Sequence, residues 1–168
     1  MILDRKLLQE VLAAAMTTGA DFAEVYAERT LNDSVHLLDG KIDQISNNVV
    51  SGVGIRAFKE TRTVYASTSD LSREGLLRCA RSVAAAMGEG NAQISINLTE
   101  RMFPNIHPAR IIPSSVESRI KSDLLRAGCT AAREYDPAIS QVTGTLLGVD
   151  HTIQIANSEG LLTTDRQQ

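Results

Sequence analysis

Two apolar-rich runs flank one Asp-Gly pair in Val35-His36-Leu37-Leu38-Asp39-Gly40-Lys41-Ile42-Asp43-Gln44-Ile45. An Asp-Gly pair readily adopts the two positive φ angles of a tight hairpin turn. Strands joined by so short a turn must run antiparallel, so this segment predicts a β-hairpin.

Upstream of this hairpin, the apolar residues follow first a helical period and then a strand period. The helical set recurs every three or four residues and comprises Leu7, Leu8, Val11, Leu12 and Ala15. Gly19 suits the left-handed end of that helix. From Asp21 onward, Ala23, Val25 and Ala27 alternate with polar residues, which predicts a strand with one solvent-facing side.

Downstream, the alternation of residues 53–58 and the run 63–66 predict a second antiparallel hairpin. The short polar residues Ser69, Asp70 and Ser72 are typical of a helix start. The helix behind them is expected to bury Leu76, Leu77, Ala80, Val83, Ala84 and Met87.

The C-terminal half is predicted as an irregular segment, a helix and a group of strands. Three prolines within residues 91–113 favour an extended connection. The pair Ser114 and Glu117 matches a capping box, so a helix is predicted with an apolar face of Val116, Ile120, Leu124, Ala127 and Ala131. Strands are expected over 142–147, 152–156 and 161–163, separated by turns at 148–150 and 157–160. The last strand looks unfinished where the sequence stops.

This order segregates strands from helices instead of alternating them. It predicts an α+β fold, with a mostly antiparallel sheet (a hairpin meander plus C-terminal strands) packed with about three helices. The length of 168 residues predicts a single domain over 1–168.

Composition excludes several classes of protein. The formal net charge is −3 and aromatic residues make up 4%, which argues against a direct nucleic-acid partner. No apolar run is long enough for a membrane helix, and residues 1–6 lack the pattern of a secretory signal. Cys79 and Cys129 form no spaced cluster, so two buried thiols in the cytoplasm are expected.

The residues that usually carry chemistry are scattered. His36, His107 and His151 are isolated in sequence, so no metal ligand is predicted. The turn Asn157-Ser158-Glu159-Gly160 precedes strand-like residues, unlike a nucleophile elbow, which precedes a helix.

Two further patterns have simple structural interpretations. The residues from Gly52 to Ala57 match the G-x-G-x-x-G/A sequence motif of dinucleotide-binding proteins. However, apolar and other residues alternate here as in a strand, and glycines within a strand favour a bulge or a close backbone approach. The acidic residues on the first strands could steer a cationic ligand, although a solvated sheet face is the simpler explanation; they are Asp21, Glu24, Glu28, Asp33, Asp39 and Asp43. No catalytic, cofactor-binding or metal-binding residue is therefore predicted in this chain.

Several short sequence motifs, in this order, resemble those of the TldD/PmbA family. These motifs are Gly19-Ala20-Asp21-Phe22-Ala23-Glu24-Val25-Tyr26, Asp39-Gly40-Lys41-Ile42, the run 51–57, the run 66–72, Asp136-Pro137-Ala138-Ile139 and the run 155–160. The form of residues 52–57 is more similar to the TldD branch than to the PmbA branch.

The resemblance implies the N-terminal domain of a zinc metallopeptidase, of the family also called modulators of DNA gyrase. Such proteins degrade short or unfolded peptides, and TldD-like and PmbA-like subunits can pair. Their zinc helix carries H-E-x-x-x-H in a C-terminal domain, and that motif is absent from this sequence. The resemblance thus implies a non-catalytic part that helps form the substrate chamber and a homo- or hetero-dimer interface, inactive alone.

Two alternatives remain open. One is a non-enzymatic interaction module that acts on gyrase or on a toxin–antitoxin partner. The other is a small-ligand enzyme with a site built from His151, Asp150 and Ser158.

Overall fold

The computed structural model describes residues 2–104 and 106–168. Within them, the helices are α1 (Arg5–Ala15), α2 (Arg73–Met87) and α3 (Ser118–Glu134). The strands are β1 (Phe22–Leu38), β2 (Lys41–Lys59), β3 (Arg62–Thr68), β4 (Thr99–Glu100), β5 (Thr143–Asn157) and β6 (Leu161–Gln167). The predicted α+β class is confirmed.

One six-stranded sheet has the strand order β3-β2-β1-β5-β6-β4. Strand β2 pairs antiparallel with β3, from Val53 opposite Thr68 to Lys59 opposite Arg62. The backbone hydrogen bonds Ser158–Ala23 and Asp39–Val142 lie at opposite ends of the β1–β5 pair, so these strands are antiparallel as well. The short strand β4 pairs parallel with its neighbour β6.

The Asp-Gly hairpin is confirmed. Asp39 has a φ of 48° and Gly40 a φ of 77°, the two positive angles that such a turn needs. The strands on either side are longer than the sequence pattern predicts. The two short strands predicted before the turn form one continuous strand of 17 residues, β1. The two predicted after the turn form one continuous strand of 19 residues, β2.

The chain divides into two compact units, and β1, β2, β5 and β6 contribute residues to both. The first unit comprises Met1–Arg29, Ser51–Ile106 and Thr152–Arg166, and the second comprises Thr30–Val50, His107–His151 and Gln167–Gln168. The prediction of a single domain over 1–168 stays a prediction.

The first unit holds the main apolar core. Helix α1 begins at Asp4, whose carboxylate accepts from the Lys6 amide at 2.6 Å, and α2 begins at Ser72, whose hydroxyl accepts from the Gly75 amide at 3.1 Å. The six apolar residues predicted to be buried in α2 are all buried. Five of them, all except Ala84, belong to one cluster with buried residues of α1 and with Ala23, Val25 and Ala27 of β1.

Two predictions for the second unit are wrong. No turn interrupts residues 148–150, because β5 runs through them as a continuous strand. Ser114 lies in a 3-10 turn (Pro113–Ser115) and does not cap α3, which begins after Glu117 without a side-chain cap. The Ser114 hydroxyl instead lies 3.4 Å from a carboxylate oxygen of Asp150, as its donor.

The predicted orientation of α3 is also wrong. Its buried residues are Lys121, Ser122 and Cys129, whereas Ile120 and Leu124 are exposed. The residues 91–113 are irregular, as predicted, apart from β4; Asn105 lies outside the described residues.

Candidate functional site

The histidines that sequence reasoning treated as isolated are placed as follows. His36 lies on β1, and its Nδ1 is 3.1 Å from a carboxylate oxygen of Asp43 on β2, in a solvent-exposed cross-strand pair. His107 lies within the irregular segment 91–113, and His151 is a half-buried residue of β5. Among residues 2–104 and 106–168, no three His, Cys, Asp or Glu side chains converge into a group that could hold a metal ion.

The turn at residues 157–160 is a structural turn. The Asn157 side chain accepts from the amides of Glu159 and Leu161, and Gly160 has a φ of 95°. The Ser158 hydroxyl accepts from the Ala23 amide at 3.0 Å, while the Ser158 amide donates to the Ala23 carbonyl at 2.9 Å. Ser158 therefore ties the turn to β1 and does not present a free nucleophile.

Asp150, the second residue of the hypothetical small-ligand site, is buried within the second unit and accepts hydrogen bonds there. It is 3% exposed and accepts from Ser114 and from the Gln168 side-chain amide, each at 3.4 Å. These contacts engage the carboxylate in the packing of the second unit, and the hypothesis of a small-ligand site at His151, Asp150 and Ser158 stays a hypothesis.

Most acidic residues of the first strands are at least partly exposed, and several of them also have partners within the chain. Asp21 accepts from the Glu60 amide at 2.7 Å, and Glu24 forms an ion pair with Arg56. Asp39 forms an ion pair with Arg133 at 2.8 Å. Each of these carboxylates holds a turn or a neighbouring strand in place, which leaves little charge directed at a ligand.

Gly52 and Gly54 lie inside β2 and not ahead of a helix. A Cβ at Gly54 would lie 2.7 Å from the Tyr65 hydroxyl on β3. The close approach at Gly54 is made by a side chain, which differs from the bulge or close backbone approach that the sequence predicts.

The main polar feature that sequence reasoning missed is a buried ion pair in the second unit. Lys121 of α3 donates to Asp33 of β1 at 2.7 Å, and both side chains are about 90% buried. Gly148 of β5 lies against the same carboxylate, because a Cβ there would approach it to 2.6 Å. The sequence feature that could have indicated this pair is Gly148, because a glycine within a strand often marks a place where another group approaches the backbone closely.

A cavity of about 340 Å³ lies in the same unit. The Asp39–Gly40 turn, α3 and β5 form its walls, with Cys129, Arg133 and Val142 among the lining residues. The Arg133–Asp39 ion pair and the hydrogen bond from the Val142 amide to Asp39 lie at its rim.

Burial raises the pKa of two side chains in the first unit, Tyr26 and Cys79. The Cys79 thiol lies on the inner side of α2, where burial raises its pKa. A thiol that is harder to ionise is a poor nucleophile and a poor metal ligand, so Cys79 belongs to the core and not to a reactive site.

Comparison with known protein families settles the membership of the chain. Residues 23–86 match the family model described as PmbA/TldA metallopeptidase domain 1, and residues 111–168 match the PmbA/TldA metallopeptidase central domain. The chain belongs to the PmbA/TldD family. The matched ranges follow the two halves of the chain in the order expected for such proteins.

Curated relatives agree with this membership. The Metalloprotease TldD homolog of Buchnera aphidicola is 26% identical over 153 residues, which is 89% of this chain and 31% of the relative. The homolog of Haemophilus influenzae is 29% identical over 148 residues, 86% of this chain and 30% of the relative. The chain therefore spans about a third of the length of the TldD relatives it matches.

Solved structures share the fold. A protein described as a modulator of DNA gyrase, from Bacteroides thetaiotaomicron, matches with a TM-score of 0.73 at 19% identity, over 99% of this chain and 39% of its own. TldE from Thermococcus kodakarensis matches with a TM-score of 0.67 at 17% identity, over 95% of this chain and 36% of its own.

Proposed function

We propose that this chain is the non-catalytic N-terminal part of a TldD-like zinc metallopeptidase that degrades peptides or unfolded polypeptides. In this proposal residues 1–168 act as one domain that helps form the substrate chamber and the subunit interface. The observation that carries it is the match of two successive PmbA/TldA family models to one short chain.

The residues of this chain do not fit a catalytic zinc ion. Zinc that activates water in peptidases is held by three protein ligands, usually His and carboxylate. The sequence has no H-E-x-x-x-H motif, and the described residues form no group of three ligands. We therefore place the zinc and the bond-breaking chemistry in a further part of such a peptidase and derive no step on this chain.

The proposal also covers the substrates, the subunit partner and the cellular location of the protein. Peptides are the substrates of the whole assembly, and its subunit partner is a like or unlike TldD/PmbA-type chain. A cytoplasmic location accords with two buried free cysteines. Among the described residues no helix is long and apolar enough to cross a membrane. A net charge of −3 opposes direct contact with DNA.

A second candidate function is a non-enzymatic interaction module, acting on gyrase or on a toxin–antitoxin partner. It is favoured by the description of the Bacteroides and Thermotoga maritima structures as modulators of DNA gyrase. A pull-down with this chain and with a full-length relative separates the candidates, since a module must retain the partner without the remaining two thirds.

The decisive experiment measures metal and peptidase activity in two samples. The purified 168-residue chain is expected to hold less than about a tenth of a zinc ion per chain and to cleave no unfolded casein peptide. Material immunoprecipitated with this chain from its source cells is expected to contain zinc and to show peptidase activity that a chelator removes. A zinc-loaded, active chain alone, or immunoprecipitated material without chelator-sensitive activity, would contradict the proposal.

A further inference from the structure

The cavity at the turn between β1 and β2 lies entirely within the second unit. Its volume of about 340 Å³ lies near the lower end of the range of about 300–1,000 Å³ that ligand pockets occupy. On α3 it is lined by two pairs of residues, each one helical turn apart, which are Cys129 with Arg133 and Thr130 with Glu134. The size of the cavity suits a small molecule.

Arg133 contributes a cation with free donors to this cavity. Its Nη1 donates to Oδ1 of Asp39 at 2.8 Å, and the Val142 amide donates to the same oxygen at 3.1 Å. Within the described part of the chain, Nε and Nη2 of Arg133 have no hydrogen-bond partner. A guanidinium binds a carboxylate through two parallel N–H groups, so this free edge of Arg133 suits a carboxylate on a ligand.

Glu134 contributes a negative charge to the same cavity. It is the last residue of α3, it is exposed, and its carboxylate has no ion-pair partner among residues 2–104 and 106–168. The C-terminal end of a helix also carries partial negative charge on its last carbonyl groups. Both features favour a positively charged group, such as an ammonium, beside Glu134.

Cys129 and Val142 supply an uncharged part of the lining. Cys129 is 8% exposed, and Val142 is half-buried just ahead of β5. Removal of apolar surface from water is favourable, so this part of the cavity favours an aliphatic group. Together with Arg133 and Glu134, it matches an aliphatic side chain, a carboxylate and an ammonium, which are the three groups of a free α-amino acid.

We propose that this cavity binds a free α-amino acid with an aliphatic side chain. The carboxylate binds Arg133, the ammonium binds Glu134, and the side chain packs against Cys129 and Val142. Free amino acids are end products of peptide degradation, so the source of the ligand rests on the proposed function. The binding itself concerns the 168-residue chain, and its test needs neither zinc nor peptidase activity.

The test is a titration of the full 168-residue chain with L-leucine, followed by the NMR chemical shifts of the backbone amides. The dissociation constant is expected to be about 1 mM, as for a ligand of so few atoms, with saturable shifts centred on residues 39–40, 129–134 and 142. Leucinamide lacks the carboxylate and N-acetylleucine lacks the ammonium, so each is expected to bind about tenfold more weakly. Absence of saturable shifts up to about 20 mM leucine, or equal affinity for leucine and either analogue, would overturn the inference.

Two variants assign the two charges. Arg133→Met should weaken leucine binding about tenfold and leave leucinamide binding within about twofold, because leucinamide presents no carboxylate to the guanidinium. Glu134→Gln should weaken leucine and leucinamide binding equally, about fivefold, and leave N-acetylleucine binding within about twofold. Both residues are exposed, so the variants are expected to fold. Leucine affinities that stay at the wild-type value in both variants would overturn the inference.

The matched control is Arg119→Met. It removes a guanidinium of the same helix that is 87% exposed, paired with Asp123 at 3.8 Å and outside the cavity lining. This variant is expected to bind all three compounds like the wild type. Equal losses in Arg119→Met and Arg133→Met would show that the general charge of the helix attracts the ligand, and would overturn the inference.

The inference and the proposed function fail separately. Absence of leucine binding would overturn only the inference, since the zinc and peptidase measurements do not depend on this cavity. Leucine binding by the chain, together with immunoprecipitated material that lacks chelator-sensitive peptidase activity, would leave the inference standing and overturn the proposed function.

Discussion

Lys121 and Asp33 are 88 residues apart in sequence, yet their side chains meet at 2.7 Å with about 90% of each removed from solvent. Desolvation of two charges is costly, and their attraction offsets that cost only while both are present. The pair therefore determines how α3 lies on β1.

The first prediction concerns this pair. Lys121→Met keeps the stem of the side chain but leaves the Asp33 carboxylate buried without its cation. We expect the free energy of unfolding, measured in urea, to fall by about 3–5 kcal/mol. The exposed Arg126–Asp123 pair provides the control, and Arg126→Met should cost less than about 1 kcal/mol.

A double variant distinguishes charge from packing. Lys121→Met combined with Asp33→Leu removes both charges and should lie within about 1 kcal/mol of the wild type, since apolar replacements of buried ion pairs are often tolerated. Equal destabilisation in the single and double variants would show that the ion pair is not the source of the loss.

The second prediction concerns Gly148, which faces the same carboxylate. Gly148→Ala would place a Cβ 2.6 Å from Asp33, whose side chain cannot move without breaking its ion pair. We expect a loss of about 1–3 kcal/mol in the free energy of unfolding. Gly128→Ala on α3 is the matched control, because its Cβ would meet nothing within 4 Å and the helix should gain about 0.5–1 kcal/mol. A neutral Gly148→Ala would mean that Asp33 moves freely.

Local chemistry explains what could be predicted from the sequence. The turn at Asp39–Gly40, the cap at Ser72 and the apolar period of α2 each depend on residues within one or two turns of each other. Such signals are visible in a single sequence. The α+β class follows from them, because closely spaced strands must pair antiparallel.

Long-range contacts explain which features could not be predicted from the sequence. The apolar stripe of α3 predicts burial of Ile120 and Leu124, but a carboxylate on β1 draws Lys121 inward instead. The sequence pattern predicts a turn at Gly148, whereas this residue makes room for that carboxylate inside a continuous strand. Both outcomes depend on contacts between residues that are far apart in sequence, and for the same reason the buried polar cluster of the second unit is not predicted from the sequence.

The third prediction concerns Gln154, which is 1% exposed on β5. Its Oε1 accepts from the amides of Ile2 and Leu3, at 3.1 and 2.7 Å, and its Nε2 donates to the Leu3 carbonyl at 3.0 Å. Gln154→Leu should lower the free energy of unfolding by about 1–3 kcal/mol, because the buried Leu3 groups lose their partners.

Hydrogen exchange provides the specific readout for Gln154. The Leu3 amide should lose protection in Gln154→Leu by more than the global loss of stability explains. Gln9→Leu is the control, since the Gln9 side chain donates to the Ile96 carbonyl at 2.8 Å in a half-buried position and does not contact Leu3. Unchanged exchange at Leu3 would contradict the assigned role.

The fourth prediction concerns Cys79, whose thiol pKa is raised by burial. The folded state favours the protonated thiol, so the contribution of Cys79 to stability is complete below its unfolded pKa, about 8.5, and is lost as the pH rises through the folded value. The free energy of unfolding of the wild type, relative to Cys79→Ala, should therefore decrease above about pH 8.5. Urea titrations between about pH 7 and pH 10 measure this difference. A difference that grows with pH would show that the folded environment favours the thiolate, and Cys79 would then be a reactive cysteine instead of a residue of the core.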